Sequence, residues 1–192
     1  MMKTRNKALL LTLCAVLLVA ASVLGTMAYL TSQDTVTNTF TVGNVKITLD
    51  ETDVDINGVK DGETRVQANS YKLMPGHSYI KDPTIHVDTN SEDCWLFVKV
   101  ENGIAAIEDS TNTIAAQMAA KGWTLVTGTN NIYCRATTNK AGDNVVVFEN
   151  FKIDGAKAVT GYETAKIIVT AYAVQADGFT TAEAAWTAAG LN

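Results

Sequence analysis

Proline and histidine are scarce: the 192 residues hold two of each, Pro75 and Pro83, His77 and His86. Two histidines leave no His-Glu-x-x-His run, and a zinc site would need further ligands at compatible spacing. There is no Gly-x-Ser-x-Gly elbow, no phosphate-binding glycine loop and no local Cys/His nucleophile signature. Catalytic residues and cofactors are therefore expected to be none. Cysteine is limited to Cys14, Cys94 and Cys134. A basic cluster is missing downstream of the first residues, so nucleic acid is excluded as an expected partner. No repeat of 20–50 residues and no low-complexity linker divides the chain.

What is present begins at the N-terminus. Lys3, Arg5 and Lys7 precede an uncharged, mostly apolar stretch from Ala8 to Leu30, which is 23 residues long. Small residues follow at Thr26 and Ala28. A basic start, an apolar centre and small residues at a boundary make a secretory signal, cut between Ala28 and Tyr29. The alternative is an uncleaved transmembrane anchor, since the stretch is long enough to span a bilayer with its positive end inside. Either way the remainder is exported, secreted or held at the cell surface, and touches membrane only through this segment. Cys14 lies within the apolar stretch without the small residue expected before a lipidated cysteine. The final residues, Ala189-Gly190-Leu191-Asn192, lack the apolar tail of a wall-sorting signal.

Residues 1–28 are thus read as the signal and 29–192 as one domain. The whole chain carries −5; without the three basic signal residues the domain carries −8. Leaving Cys14 aside, Cys94 and Cys134 are the pair available for one disulfide in an oxidising compartment. Two buried thiols are the other reading.

Alternation sets the fold class. Val36, Phe40 and Val42 alternate with polar residues, and after Gly43-Asn44 the phase flips to Val45, Ile47 and Leu49. Asp50 to Asn69 is polar around a hairpin-type Asn57-Gly58. Pro75-Gly76 fits the centre of a type II turn. Ile85 and Val87 flank His86 in a short strand. Cys94, Leu96, Val98 and Val100 share one face of the next, with Trp95 and Phe97 opposite, so both faces of a central strand are expected to be covered. Further strands are read at Thr124–Thr127, Ile132–Ala136, Val145–Phe148 and Ala165–Val174. Ile114, Ala115, Met118 and Ala119 follow helical spacing within Thr111–Lys121, before Gly122. Thr180-Thr181-Ala182-Glu183 reads as a capping box opening a helix that ends at Gly190, anchored by Trp186. The expectation is a mainly β, jelly-roll-like β-sandwich with one or two short helices, preceded by the N-terminal signal or transmembrane helix. A partly open barrel is the alternative.

Asp53, Asp55 and Asn57 fall at positions 1, 3 and 5 of a calcium loop, with Gly58 at the sharp turn and Asp61 nearby. The match then fails, because Thr64 stands at position 12 and Glu63 is one residue early. A solvated hairpin tip is the competing reading. Trp95, Trp123, Tyr133, Tyr172 and Trp186 are either packing residues or a carbohydrate platform.

The boundary Gly25-Thr26-Met27-Ala28-Tyr29-Leu30-Thr31 and the run Thr37-Asn38-Thr39-Phe40-Thr41-Val42-Gly43-Asn44-Val45 resemble the exported TasA/camelysin-like proteins. Those carry the signal read by the SipW type of signal peptidase in Gram-positive bacteria. Leu73-Met74-Pro75-Gly76, the strand Cys94 to Val100 and the block Ala171 to Phe179 are similar to the same family. The resemblance implies a jelly-roll-like sandwich, a signal peptidase as partner, and a structural role in the biofilm matrix or at the cell surface. Some members form fibres; in this chain the low-charge segment Tyr29 to Val42 is expected to add as a strand to another copy, with folding back as the first strand of its own sandwich or a disordered tail as the alternatives. Camelysin-like members are classed as metallopeptidases, which makes an extracellular metallopeptidase the competing function; a surface carbohydrate- or wall-binding module is the third.

Overall fold

The computed structural model describes residues 6, 12–19 and 44–191. The chain forms two compact units, Met1–Thr41 and Val42–Asn192. In the first, residues 12–19 are helical, and Leu13, Val16, Leu17, Leu18 and Val19 are exposed. No helix among the described residues is long and apolar enough to cross a membrane. The Ala28–Tyr29 boundary and the strand read around Val36 to Val42 lie outside the described residues.

The second unit is mainly β. Its strands are β1 (Ile47–Val54), β2 (Lys60–Val66), β3 (Ser78–Ile80), β4 (Thr84–Val87), β5 (Cys94–Asn102), β6 (Trp123–Leu125), β7 (Ile132–Arg135), β8 (Asn144–Val146), β9 (Asn150–Lys152) and β10 (Ile167–Gln175). They form three antiparallel sheets, ordered β2-β1-β4-β8, β10-β5-β7-β6 and β3-β9. The helices are α1 (Ile114–Ala120) and α2 (Ala182–Ala189), with a 3-10 turn at Ala105–Ile107.

β5 explains the layering. Its period-two alternation sends Cys94, Leu96, Val98 and Val100 into one core, where they meet Ile85 and Val87 of β4 and Val145 of β8. Trp95 and Phe97 go to the opposite face, into a second core with Ile132, Cys134 and the α2 residues Ala182, Ala185 and Trp186. Burying one such large apolar side chain contributes about 1.5–3 kcal/mol, so a strand buried on both faces is a natural centre. α1 closes the first core with Ile114 and Met118, while Ala115 and Ala119 of the same repeat stay exposed.

Local signals act as their chemistry dictates. At the Pro75-Gly76 turn the His77 N–H donates to the Met74 carbonyl at 3.2 Å, with Gly76 at φ +75°. The α2 cap is Thr181, one residue later than the capping box implies: its Oγ1 accepts from the Ala184 N–H at 3.2 Å, and Glu183 falls in the first turn. Gly190 ends α2 in the left-handed region, the usual role of glycine past a helix.

Candidate functional site

Among the described residues, one side of the second unit carries strand edges with no further strand on them. β10 pairs with β5 along its whole length and with no other strand among the described residues. β2 covers β1 only where Glu51, Thr52 and Val54 meet Val66, Arg65 and Lys60. Residues 47–50 of β1 therefore pair with β4 on one edge and, among the described residues, have no strand on the other. The inward row Val45, Ile47 and Leu49 stays half-buried, as do Ile167, Val169 and Ala171 of β10. Between them lies a groove of about 1240 Å³, lined further by Tyr71, Leu73, Phe151, Val159 and Tyr162. A bare strand edge presents a row of N–H and C=O groups that templates pairing with another chain. An apolar slot beside two such edges can take an extended segment, held by main-chain hydrogen bonds and by every second side chain.

A polar cluster sits in this apolar setting. Glu51 continues the inward row of β1, and its side chain is 5% exposed. Its Oε2 accepts from Lys81 Nζ at 2.5 Å and its Oε1 from Asn69 Nδ2 at 3.0 Å. The Asn69 amide also donates to the Thr52 carbonyl at 2.9 Å, and its Oδ1 accepts from the Val54 N–H at 3.1 Å. Asn69 thus fills the irregularity in the β1–β2 pairing between Thr52 and Val54. Lys81 Nζ lies 5.9 Å from the centre of the Tyr71 ring. Burial, and then the Glu51 charge, push the Tyr71 phenol above its ordinary range. A carboxylate and an ammonium this deeply buried persist only when paired and hydrogen-bonded, as these are. Sequence reasoning missed Glu51, Asn69 and Lys81. The available signal was Glu51 itself, an acid in phase with Val45, Ile47 and Leu49.

The outer face of the same sheet carries a second network. His86 Nε2 lies 2.8 Å from Asp50 Oδ1, and its Nδ1 contacts Asn144 Oδ1. Arg65 bridges Asp50 at 2.5 Å and Asp82 at 3.0 Å. Partial burial pushes the Asp50 carboxyl up, but the hydrogen bonds from Arg65 and His86 outweigh it and hold the group below the usual carboxylate range. These cross-strand contacts tie β2, β1, β4 and β8 together on the face away from the core.

The remaining sequence candidates fall elsewhere. Asp55 is the hinge of the β1–β2 hairpin: its Oδ1 accepts from the N–H groups of Asn57 and Val59, both at 2.9 Å. The Val59 contact is the main reason its carboxyl lies low. Asp53 instead accepts from Thr64 Oγ1 at 3.1 Å, and Asp61 is an exposed residue of β2. The calcium-loop residues Asp53, Asp55, Asn57 and Asp61 are hairpin residues and are not brought together as a ligand set. His77 touches the Asn57 carbonyl and packs T-shaped with the Tyr79 ring, whereas His86 is held by Asp50 and Asn144. Among the described residues no three His, Cys, Asp or Glu side chains converge as metal ligands.

Trp95, Trp123 and Trp186 are buried and Tyr133 and Tyr172 half-buried, so the five form no exposed platform. Trp186 packs against Phe97 at 5.0 Å and Tyr172 at 5.7 Å. Of the two readings of Cys94 and Cys134, the structure has the buried thiols: both are free. Cys94 faces the first core and Cys134, paired with Phe97, faces the second, so the sheet itself stands between them. Burial pushes the Cys94 thiol up to about 11 and raises that of Cys134 as well. Against known proteins, the chain matches no family model, none of the curated proteins and no solved structure.

Proposed function

We propose that this chain is an exported structural component of a Gram-positive cell surface or extracellular matrix, a jelly-roll-like sandwich whose copies join by strand addition. The observation that carries the reading is two strand edges that no other described strand pairs, beside a mostly apolar groove. The donor is residues 29–42 of a neighbouring copy. Val36, Phe40 and Val42 alternate there, and Asp34 is the only charge. Extended, those residues reach about 46 Å, more than the roughly 30 Å of a strand the length of β10. The N-terminal apolar stretch acts as the signal, so that the donor is released only after export, with the signal peptidase as the partner that frees it. The resemblance to TasA/camelysin-like proteins points the same way. The metallopeptidase and carbohydrate-binding alternatives gain no residue from the geometry above.

Size-exclusion chromatography and electron microscopy of residues 29–192 against residues 42–192 test this. The longer form is expected to give concentration-dependent oligomers or fibres and the shorter to remain monomeric. Equal assembly by both overturns strand exchange. So does a longer form that stays monomeric while the shorter unfolds, because the segment then belongs to its own subunit.

A further inference from the structure

The Glu51–Lys81–Asn69 cluster has the composition and connectivity of a self-modifying site. One buried carboxylate holds an amine on one oxygen and a carboxamide nitrogen on the other. Lys81 Nζ and Asn69 Nδ2 are thereby gathered at a single group in the wall of the groove, with the Tyr71 ring beside Lys81. The Asn69 carbonyl is polarised by the Val54 N–H at 3.1 Å, as an acyl centre awaiting a nucleophile would be. The Lys81 side chain is 10% exposed, so bulk water does not compete for its nitrogen.

We infer that Lys81 and Asn69 join in an intramolecular isopeptide bond, with Glu51 as the catalytic proton carrier. The cluster exists within one subunit, so the inference stands apart from the assembly reading. The reaction balances without an oxidant or co-reactant. The Lys81 ammonium passes a proton to Glu51 Oε2 along their hydrogen bond, leaving a neutral amine and a carboxylic acid. The amine lone pair attacks Asn69 Cγ, and the negative charge that gathers on Oδ1 is met by the Val54 N–H. Glu51 gives its proton to Nδ2 and takes one from the attacking Nζ, returning it to the departing nitrogen as the Cγ–Nδ2 bond breaks. Lysine ammonium and carboxamide become a secondary amide and ammonium, and Glu51 ends as it began. The new bond ties the loop after β2 to the segment after β3, at the wall of the groove.

Intact mass of the folded full-length protein reads the reaction directly, as the loss of one ammonia. Trypsin separates residues 66–72 from 73–81 and 82–99 in an unlinked chain. The bond is expected to keep 66–72 attached to an uncut 73–99, because acylated Lys81 is no longer a cleavage site. Glu51→Gln, checked for folding by circular dichroism, should abolish the mass loss and release the separate peptides. An unaltered mass in the folded wild-type protein overturns the inference. So does an ammonia loss that maps to Asn57-Gly58 as a cyclic imide, or a loss of water that links Lys81 to Glu51 itself.

Discussion

Cys94 and Cys134 illustrate how a single residue takes its chemistry from the face it occupies. Both come from strands of one sheet, yet alternation sends one thiol into each core. With Cys94 fully buried and Cys134 nearly so, neither sulfur meets solvent or the other, and burial keeps both as thiols rather than thiolates. Iodoacetamide should therefore leave both unlabelled in the native protein at pH 8 and label both once the chain is unfolded without reductant. Unreduced mass should show no loss of two hydrogens. Labelling of Cys94 in the native state, or a bridge between the two, would contradict the two-core layering. Two cysteines in an exported chain left both a disulfide and two buried thiols open; the sequence places them in alternating strands but does not say that those strands neighbour each other.

At the scale of elements, the β1–β2 hairpin is the most demanding piece of local structure. Gly58 sits at φ +76°, and a Cβ there would fall 2.7 Å from a carbon of the Tyr79 ring and 2.8 Å from its Cα. Gly58→Ala combines a left-handed backbone, costing about 1–2 kcal/mol, with an overlap of typically about 1–3 kcal/mol. A drop of about 2–5 kcal/mol in unfolding free energy by urea titration is expected, and a loss below about 0.5 kcal/mol would mean the hairpin is not packed on Tyr79. The hairpin was legible at Asn57-Gly58, but the extent of β2 was not. Its Lys-Asp-Gly-Glu-Thr-Arg run is exposed and carries no apolar alternation, so only pairing with β1 makes it a strand. β3 and β9 escaped for a related reason: each has three residues and one buried aromatic, Tyr79 or Phe151. The long strands were plain because both of their faces are used, as β5 shows, and α1 and α2 were plain from spacing and caps. The groove was not, since it arises where β1 and β10, 120 residues apart in the chain, each have an edge that no other described strand pairs.

At the scale of the whole second unit, three antiparallel sheets enclose two cores, and among the described residues one side has no further strand on its edges. One core carries α2 and its tryptophan; beside the other, half-buried rows of β1 and β10 flank a groove with a paired charge in its wall. An open edge is normally blunted by charge, proline or a covering element. In β10 the residues from Ile167 to Gln175 include none of the charged side chains or prolines that would do so. Strand addition to this side is the central claim, and hydrogen exchange tests it most directly. A synthetic peptide of residues 29–42 is added to the protein of residues 42–192, and exchange is followed at β10 and at residues 47–50. The expected result is slowed exchange of the β10 amides directed away from β5, saturating with peptide concentration and absent for a peptide with Phe40 and Val42 replaced by Asp. Unchanged exchange at β10 under saturating peptide would contradict it.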